Sequence, residues 1–365
     1  MRILLSGGGT AGHVLPHIAV VKELQKKAPQ TKFLYVGSKN GPEKTYAKKW
    51  GIPFKSVPVG KLRRYFSLAN ALDAIKVPLG VLRASLIMIR FRPDVVFSKG
   101  GYVSVPVILA ARILKKPIVI HDSDAKPGLT TKIAKKFAKK ILLGYPEAAQ
   151  HFPKEKVVIT GIPIREEIFK GGIKEGLDKT GFSASKPVIL VMGGSLGAQH
   201  LNKVIEKALP ELLTFTQVIH ITGRGKKIHH VPGNAKGYIG KYKAFEYVDA
   251  ELPHLYRISD FIIGRAGANS IAEIQALKKP SLLVPLGAPV SHGDQIANAR
   301  VLEERGGCII VPDSEFNSNK LIKVLKPLLS DKSALKRMSR KAYHPFNPKA
   351  AEKIAKILLA EAKKK

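Results

Sequence analysis

The sequence predicts an α/β fold with two domains, each a doubly wound parallel sheet. Short apolar runs alternate with helical patterns along almost all of the 365 residues, as in parallel sheets that are covered by helices. The length suits two domains of about 150 residues each. Each half opens with a strand that leads into a glycine turn and a helix, at Gly8–Gly12 and again at Gly193–Gly197.

The runs predicted to be strands divide evenly between the two halves. They are Ile3–Leu5, Phe33–Val36, Val95–Phe97, Ile118–Ile120, Ile141–Leu143 and Val157–Thr160, followed by Val188–Met192, Val218–Ile221, Phe245–Val248, Phe261–Ile263, Leu282–Val284 and Ile309–Val311. Gly and Pro end a strand at Gly161–Arg165, which places the domain joint there. We therefore expect an N-terminal domain over 1–163, a C-terminal domain over 164–342, and a last helix over 343–365 that packs on the N-terminal domain.

The charge balance favours anionic partners. The chain has 62 Lys and Arg against 27 Asp and Glu, a formal net charge of +35. Such an excess attracts nucleic acid, an anionic membrane face or phosphorylated substrates, although a general bias toward lysine would produce the same number. A nucleic-acid-binding module would add a known motif or clustered aromatic residues on a basic face. The sequence has neither, so we expect no specific nucleic-acid partner.

Composition also excludes several classes of protein. The single cysteine, Cys308, excludes a disulfide framework and a cysteine zinc site, and it indicates a reducing compartment. No apolar run reaches the ~18 residues that a membrane-spanning helix needs. The apolar start Met1–Leu5 is shorter than the ~7 residues of a signal-peptide core. We expect a cytosolic protein, or one attached to the inner membrane face.

Three glycine turns follow predicted strands. The first matches the dinucleotide fingerprint at Gly7–Gly12, but the next strand ends at Val36–Lys39 without the acidic residue that would hold a ribose. A Walker A motif is also missing from the sequence. In chain order, the second turn lies at Lys99–Ser104 and the third at Gly193–Gly197. Such turns direct backbone N–H groups and helix N-termini at anions, which suits a polyphosphate ligand held between two domains. Any one of them could equally serve tight strand–helix packing.

Two polar positions next to these turns could take part in catalysis. His13 stands at the start of a helix, whose N-terminus disfavours imidazolium and keeps the ring neutral, as a general base requires; a capping or packing histidine fits equally. Asp122-Ser123-Asp124 has the Asp-x-Asp pattern of metal-dependent sugar transferases. Because helix termini and cations can neutralise a diphosphate without a metal, we expect no metal and no cofactor.

Ordered motifs run through nearly the whole chain. They are Gly8–Pro16, Gly100–Ser104, His121–Leu129, Thr160–Arg165, Gly193–Ala198, Gly264–Glu273 and Gln295 with Asn298–Ala299. On these motifs the sequence resembles the MurG family of peptidoglycan N-acetylglucosaminyltransferases. The resemblance implies a GT-B fold, in which two Rossmann-like domains face a central cleft. It also implies metal-independent, inverting transfer of GlcNAc from UDP-GlcNAc to the MurNAc 4-hydroxyl of lipid I, which forms lipid II.

The same resemblance implies roles for individual residues. Those implied for UDP-GlcNAc are Thr10, Gly12, Asp124, Arg165, Gly194, Ser195, Val248, Ala268, Asn269, Glu273 and Gln295, and those for the acceptor are Gly9, His13, Gly100, Gly101, Tyr102 and Ser104. Glu273 would hold the ribose, Val248 would contact uracil, and the turn with Ser195 and Arg165 would take the diphosphate. Many relatives have Glu-Gln-Asn in place of Asp122–Asp124, so this chain carries a carboxylate at 124 where they carry an amide. An Asp there could act as the base, so His13 and Asp124 both remain candidates. Asp294 stands where some relatives carry a second Gln, beside Gln295.

The stretch from Lys61 to Arg92 predicts a membrane-facing helix. One apolar stripe is Leu79, Leu82, Leu86 and Ile89, and a second, on nearly the opposite face, is Val81, Ala84, Met88 and Phe91. One stripe must cover the sheet, and the other needs a partner or is buried as well. We assign Arg83, Met88, Arg90 and Phe91 to an anionic membrane surface, and a basic helix at Lys132–Lys140 adds to it.

These features together predict a peripheral protein on the cytoplasmic face of the plasma membrane. Its expected partners are UDP-GlcNAc, lipid I, the anionic membrane surface and other cell-wall synthesis enzymes. Two related activities remain as alternatives. One is a GT-B transferase that acts on diacylglycerol or another lipid. The other is a UDP-GlcNAc 2-epimerase, which shares the architecture but needs neither a lipid acceptor nor a membrane strip.

Overall fold

The computed structural model describes residues 1–60, 68–194, 198–226, 240–287, 291, 293–344 and 347–364, with the backbone alone at 68–75 and 347. The chain divides into two compact units. The first unit is Met1–Arg165 with Phe346–Lys365, and the second unit is Glu166–Pro345. Each unit is an α/β layer structure built on one parallel sheet, so the predicted fold class is confirmed.

The first unit contains a seven-stranded sheet of order β3-β2-β1-β4-β5-β6-β7, in which every pair is parallel. The strands are β1 Arg2–Ser6, β2 Lys32–Gly37, β3 Phe54–Ser56, β4 Val95–Ser98, β5 Ile118–Asp122, β6 Lys140–Leu143 and β7 Val157–Ile159. The helices are α1 Leu15–Lys27, α2 Pro42–Lys49, α3 Leu68–Phe91, α4 Val105–Ile113 and α5 Leu129–Ala134. The sequence does not predict β3, because this short edge strand is only half-buried and has no apolar run.

Helices cover both faces of this sheet. Successive side chains of a strand point to opposite faces. Leu5 therefore packs with Leu24 of α1, whereas Leu4 packs with Met88 of α3 and Val107 of α4. The two apolar clusters bury both faces of the central strands, which explains why these strands read as continuous apolar runs.

The second unit contains a six-stranded parallel sheet of order β10-β9-β8-β11-β12-β13. The strands are β8 Val188–Met192, β9 Gln217–Ile221, β10 Tyr242–Phe245, β11 Phe261–Gly264, β12 Ser281–Leu283 and β13 Cys308–Ile310. The helices are α6 Ile173–Thr180, α7 Gln199–Phe215, α8 Leu252–Ile258, α9 Ala268–Ala276, α10 Asp294–Glu304, α11 Ser318–Ser330 and α12 Lys332–Ala342. The strand predicted at Phe245–Val248 is displaced, so Val248 lies in the loop after the exposed edge strand β10.

The last helix, α13 Ala350–Lys363, belongs to the first unit. Ile354 and Leu358 are fully buried in the same cluster as Leu24 of α1. Lys353 Nζ donates to the carbonyl oxygen of Ile159 at 2.8 Å, and Lys139 Nζ lies 3.1 Å from Glu361 Oε2. The end of the chain thus completes the core of the unit in which the chain begins.

Short 3₁₀ turns join several of these elements. They are Ala11–His13, Tyr102–Ser104, Pro146–His151, Lys154–Lys156, Glu166–Phe169, Asp313–Glu315 and Asn347–Lys349. The strand order reverses at β1 and β4 in the first unit and at β8 and β11 in the second. Ligands of open α/β sheets bind at the carboxyl ends of the strands where the order reverses. The three glycine turns follow β1, β4 and β8, three of these four strands.

Helix α3 corrects the predicted membrane contacts. Met88 is fully buried against the sheet and Phe91 packs half-buried on the same cluster, so neither belongs to an exposed strip. The assignment of Met88 to a membrane is therefore wrong, because a buried side chain cannot reach lipid. The opposite stripe is exposed: Leu79 is 53% exposed, Leu82 61%, Leu86 60% and Ile89 58%. Arg83 and Arg90 are exposed, as predicted.

Candidate active site

The first two glycine turns lie in direct contact at the carboxyl ends of β1 and β4. A Cβ on Gly101 would lie 2.3 Å from the carbonyl oxygen of Gly8 and 3.3 Å from His13 Nδ1. A Cβ on Gly9 would lie 2.7 Å from Cε1 of Tyr102. Gly9 and Gly101 also have φ values of +86° and +78°, a region that favours glycine. Both turns therefore require glycine, and their contact brings His13, Gly9 and Tyr102 together.

His13 lies in the 3₁₀ turn that precedes α1. Its Nδ1 is 3.1 Å from Thr10 Oγ1. Burial lowers the pKa of His13 below its ordinary value, and the Lys99 ammonium group lowers it further, against the opposing charges of Asp122 and Glu43. The ring is therefore neutral at pH 7, as the sequence predicts, but the leading cause is desolvation and not the helix terminus.

Ser104 shapes the second turn. Its side chain is fully buried, and its hydroxyl donates to the carbonyl oxygen of Gly100 at 2.8 Å. The Gly100 N–H in turn donates to Ser98 Oγ at 3.2 Å. The hydroxyl predicted to bind the acceptor is thus used inside the turn, where it holds the backbone in place.

Glu43 is a functional candidate that the sequence alone does not reveal. It is fully buried at the start of α2, where it accepts hydrogen bonds from Ser38 N at 2.8 Å and Ser38 Oγ at 2.5 Å. The Gly9 N–H also points at its carboxylate, at 3.4 Å. The only local signal is an acidic residue in the first turn of a helix. Gly9, predicted to bind the acceptor, directs its amide to this carboxylate.

The loop after β5 carries Asp124, the second candidate for the base. Asp122 Oδ1 accepts from the backbone N–H of Asp124 at 3.0 Å, and Oδ2 accepts from that of Gly128 at 3.3 Å. Asp122 therefore closes the loop with its carboxylate. In the described part of the chain, no three His, Cys, Asp or Glu side chains are grouped so that they could hold a metal ion.

A buried lysine lies beside this loop. Lys99 is 3% exposed, its Nζ is 2.6 Å from His121 Nδ1, and it also donates to Ser123 Oγ. Burial lowers the pKa of Lys99 to about 8, although Asp122 and Asp124 act in the opposite direction. Nothing in the local sequence distinguishes this lysine from the many exposed ones.

Glu273 lies on α9 of the second unit, held by a tyrosine. The hydroxyl of the fully buried Tyr256 donates to Glu273 Oε2 at 3.0 Å, while Glu273 itself is half-buried. The same helix starts at Ala268 and Asn269, after Gly267. Glu273, predicted for the ribose, thus shares one helix with Ala268 and Asn269, while Gln295 lies on α10. Tyr256 is a supporting residue that the sequence alone does not identify.

Four further residues are predicted to bind UDP-GlcNAc in the second unit. Gln295 Oε1 accepts from the backbone N–H of Leu286 at 3.0 Å, in the first turn of α10. Val248 is 9% exposed, in the loop after β10. Gly194 has a φ of +84° after β8, and Ser195 lies outside the described residues.

In the second unit, Asp313 links the segment before α9 to the first turn of α7. Arg265, directly after β11, donates from Nη1 to Asp313 Oδ1 at 2.6 Å and to the carbonyl oxygen of Val284 at 3.0 Å. His200 Nδ1, in the first turn of α7, lies 3.0 Å from the same Asp313 oxygen. Burial alone would raise the pKa of Asp313, but the bonds from His200 and Arg265 outweigh it and lower the pKa.

Comparison with known proteins shows which family the chain belongs to. The models of the glycosyltransferase family 28 N-terminal and C-terminal domains match residues 3–143 and 188–357. A Bacillus cereus protein named UDP-N-acetylglucosamine–N-acetylmuramyl-(pentapeptide) pyrophosphoryl-undecaprenol N-acetylglucosamine transferase 2 is 44% identical over 344 residues, which span 93% of this chain and 96% of that protein. The chain belongs to the MurG family of glycosyltransferases. The resemblance inferred from its motifs is confirmed.

Solved structures support the same fold. The crystal structure of Acinetobacter baumannii MurG superposes with a TM-score of 0.76 at 25% identity, over 98% of this chain and 99% of that one. The UDP-GlcNAc 2-epimerase of Neisseria meningitidis, solved with UDP-GlcNAc bound, gives a TM-score of 0.66 at 16% identity, over 99% of this chain and 100% of that one. At 16% identity the likeness shows the fold alone, so the epimerase is a relative in architecture.

Proposed function

We propose that this member of the MurG family transfers GlcNAc from UDP-GlcNAc to the MurNAc 4-hydroxyl of lipid I and so forms lipid II. The observation that carries the proposal is the place of His13 where two glycine turns meet, in an environment that lowers its pKa through burial. It lies in a chain whose Bacillus cereus relative is named for this transfer. In this proposal the first unit binds the acceptor, and the second unit supplies most of the contacts to the nucleotide sugar.

The proposed chemistry is a single inverting displacement. The 4-hydroxyl oxygen attacks C1 of GlcNAc on the face opposite UDP, while the bond from C1 to the β-phosphate oxygen breaks and its electron pair leaves with UDP. His13 takes the hydroxyl proton at Nε2, because Nδ1 faces Thr10 Oγ1. A positioned general base contributes roughly 10²–10⁴-fold. The product carries a β-1,4 bond.

Donor binding relies on Glu273. A carboxylate can accept charge-assisted hydrogen bonds from both ribose hydroxyls, and Tyr256 fixes one of its oxygens. The glycine turn after β8 and the start of α7 receive the diphosphate together with Arg165, since helix N-termini attract anions. Gln295 presents its NH₂ group to the sugar, because its side-chain carbonyl oxygen accepts a hydrogen bond from the Leu286 N–H.

The proposed transfer needs no metal ion. Both oxygens of Asp122 accept hydrogen bonds from backbone N–H groups, which gives this carboxylate a role in shaping its loop. Departing UDP is stabilised by backbone N–H groups and cationic side chains, which act without rearrangement when they are preorganised. Asp124 remains the second candidate for the base.

We also propose that the exposed stripe of α3 docks on the anionic cytoplasmic leaflet of the plasma membrane. Leu79, Leu82, Leu86 and Ile89 continue into Ile113 at the end of the neighbouring α4, which is 64% exposed. Arg83 and Arg90 on α3, with Arg112 and Lys115 at the end of α4, are exposed basic residues of these two helices. Asp94, which shares a recess with Ile89, is half-buried and accepts a hydrogen bond from the Arg2 N–H. An apolar strip framed by cations complements a leaflet that is apolar below a negative surface, at about 1 kcal/mol per basic residue. None of the described helices is long and apolar enough to cross a bilayer.

The function is tested by incubating the purified protein with radiolabelled UDP-GlcNAc and a soluble lipid I analogue. We expect a disaccharide product with a β linkage and stoichiometric UDP, with activity retained in EDTA. Diacylglycerol in place of the lipid I analogue should yield no glycolipid. Formation of UDP-ManNAc without an acceptor, or label transferred to diacylglycerol alone, would contradict the proposal.

A further inference from the structure

A buried ammonium group lies beneath the glycine turns of the first unit, and the proposed transfer assigns it no role. Lys99 follows β4 directly and is 3% exposed. A Cβ on Gly7 would lie 3.2 Å from Lys99 Cβ and 3.0 Å from His17 Cε1. The lysine side chain therefore packs against the first turn, although it belongs to the second. Charged lysines are almost never this deeply buried unless they are paired.

The hydrogen bonds of Lys99 connect two strands to the loop of Asp124. His121 Nε2 lies 2.9 Å from the carbonyl oxygen of Gly161, which can only accept, so Nε2 carries the proton. His121 Nδ1 therefore accepts from Lys99 Nζ at 2.6 Å. Ser123, in the loop itself, accepts a second bond from the same ammonium group. Lys99 thus ties β4 to β5 and holds the backbone between Asp122 and Asp124.

Three histidines and two carboxylates surround the Lys99 ammonium group. The Lys99 ammonium faces His13 in the first turn, His17 on α1 and His121 on β5, and it lowers the pKa of all three after the larger effect of burial. Asp122 and Asp124, at the end of β5, favour its charged form. Since the pKa of Lys99 is about 8, the ammonium group is mostly charged at pH 7.

Two negative groups act on His13 in the opposite direction. Asp122 faces it from β5 and Glu43 from α2, and both favour the imidazolium form. Lys99 is the cation that opposes them. Without it, the carboxylates would stabilise a proton on His13, and an imidazolium ring cannot accept one from the acceptor hydroxyl.

We propose that Lys99 is a positioning residue of the transfer reaction. Its ammonium group anchors the Ser123–Asp124 loop to β5 and provides the positive charge that keeps His13 ready to accept a proton. The proposal rests on the proposed function, because it takes His13 as the base. Lys99 acts through His13 and the loop and does not touch the reacting atoms.

The test is the pH dependence of turnover in the Lys99→Met variant, measured from pH 4 to pH 9. Removing the cation raises the pKa of His13, so the acid limb of kcat should move to higher pH. Lys55→Met, the same substitution at an exposed position of β3, is the control and should leave the profile in place. A kcat that falls equally at every pH, with an unmoved acid limb, would overturn the proposal.

Two further measurements separate this role from a failure to fold or from a wrong base. Lys99→Arg keeps the charge, so its acid limb should coincide with that of the unmodified protein. In the unmodified protein, NMR signals of the His13 and His121 rings should shift with a midpoint near pH 8, as Lys99 loses its proton. Ring signals that stay constant through this range would refute the inference without reference to turnover. If His13→Asn kept full turnover while the ring signals of the unmodified protein moved as expected, His13 would not be the base, and the positioning role of Lys99 in proton transfer would fall with that assignment.

Discussion

The two units present their candidate site residues in different electrostatic settings. In the first unit, Lys99 and Glu43 are buried charges next to the neutral His13. In the second unit, Glu273 is half-buried and is held by the uncharged hydroxyl of Tyr256. Buried charges shift the pKa of their neighbours strongly, whereas a neutral hydroxyl mainly fixes geometry. The first unit is therefore suited to proton transfer and the second to holding a neutral ligand group in place.

The largest effect that follows from this comparison is expected at His13. His13→Asn removes the proton acceptor, so kcat should fall by roughly 10²–10⁴-fold while KM for UDP-GlcNAc stays within about twofold. Steady-state kinetics at saturating acceptor measure both. The matched variant is Asp124→Asn: if it loses turnover to that extent and His13→Asn does not, Asp124 is the base, and the role given to the neutral ring of His13 is wrong.

A change at Glu273 should affect the Kd for UDP more than kcat, the opposite of a change at His13. Glu273→Gln removes the charge from the ribose contact, and a hydrogen bond to a charged group contributes about 1.5–3 kcal/mol. We expect the Kd for UDP, measured by calorimetry, to rise by about 10- to 100-fold, with kcat changed only a few-fold.

Tyr256→Phe is the graded companion of that variant. It removes one hydrogen bond to the Glu273 carboxylate and leaves the charge, so the rise in Kd should be only a few-fold. An unchanged UDP affinity in both variants would mean that the carboxylate of α9 does not bind the nucleotide.

The smallest effect on turnover is expected at the exposed strip of α3, which contains no candidate site residue. Leu82→Gln with Leu86→Gln should weaken binding to phosphatidylglycerol vesicles by about tenfold or more, since each buried leucine contributes about 1.5–3 kcal/mol. Activity on a soluble acceptor should be unchanged. Ile173→Gln, at a 52% exposed residue of the second unit, is the control. Equal vesicle binding by all three proteins would contradict the docking surface.

Edge strands mark one limit of prediction from sequence. The central strands of both sheets are buried on both faces, and their apolar runs predict them to within one or two residues. Two of the four edge strands, β3 and β10, are short and partly exposed and carry no such run, whereas the edge strands β7 and β13 do carry one. This is why one strand is not predicted and why the strand expected at Val248 ends at Phe245.

The face of α3 shows a second limit. Its two apolar stripes are similar in composition, and periodicity alone cannot decide which of them covers a sheet. The structure buries Met88 and exposes Leu82 and Leu86. The choice depends on where β4 and α4 lie, which is not local information.

The sequence by itself determines the α/β class, the family and the glycine turns, and it predicts His13, Asp124 and Glu273 as site residues. These features depend on local backbone geometry and short motifs, which neighbouring residues encode. Only the tertiary structure identifies Lys99, Glu43 and Tyr256 as their partners. A lone lysine, glutamate or tyrosine usually lies at the surface or in a core for ordinary reasons. Its effect on a site depends on desolvation and on distances between residues far apart in the chain, such as the 2.6 Å from Lys99 Nζ to His121 Nδ1.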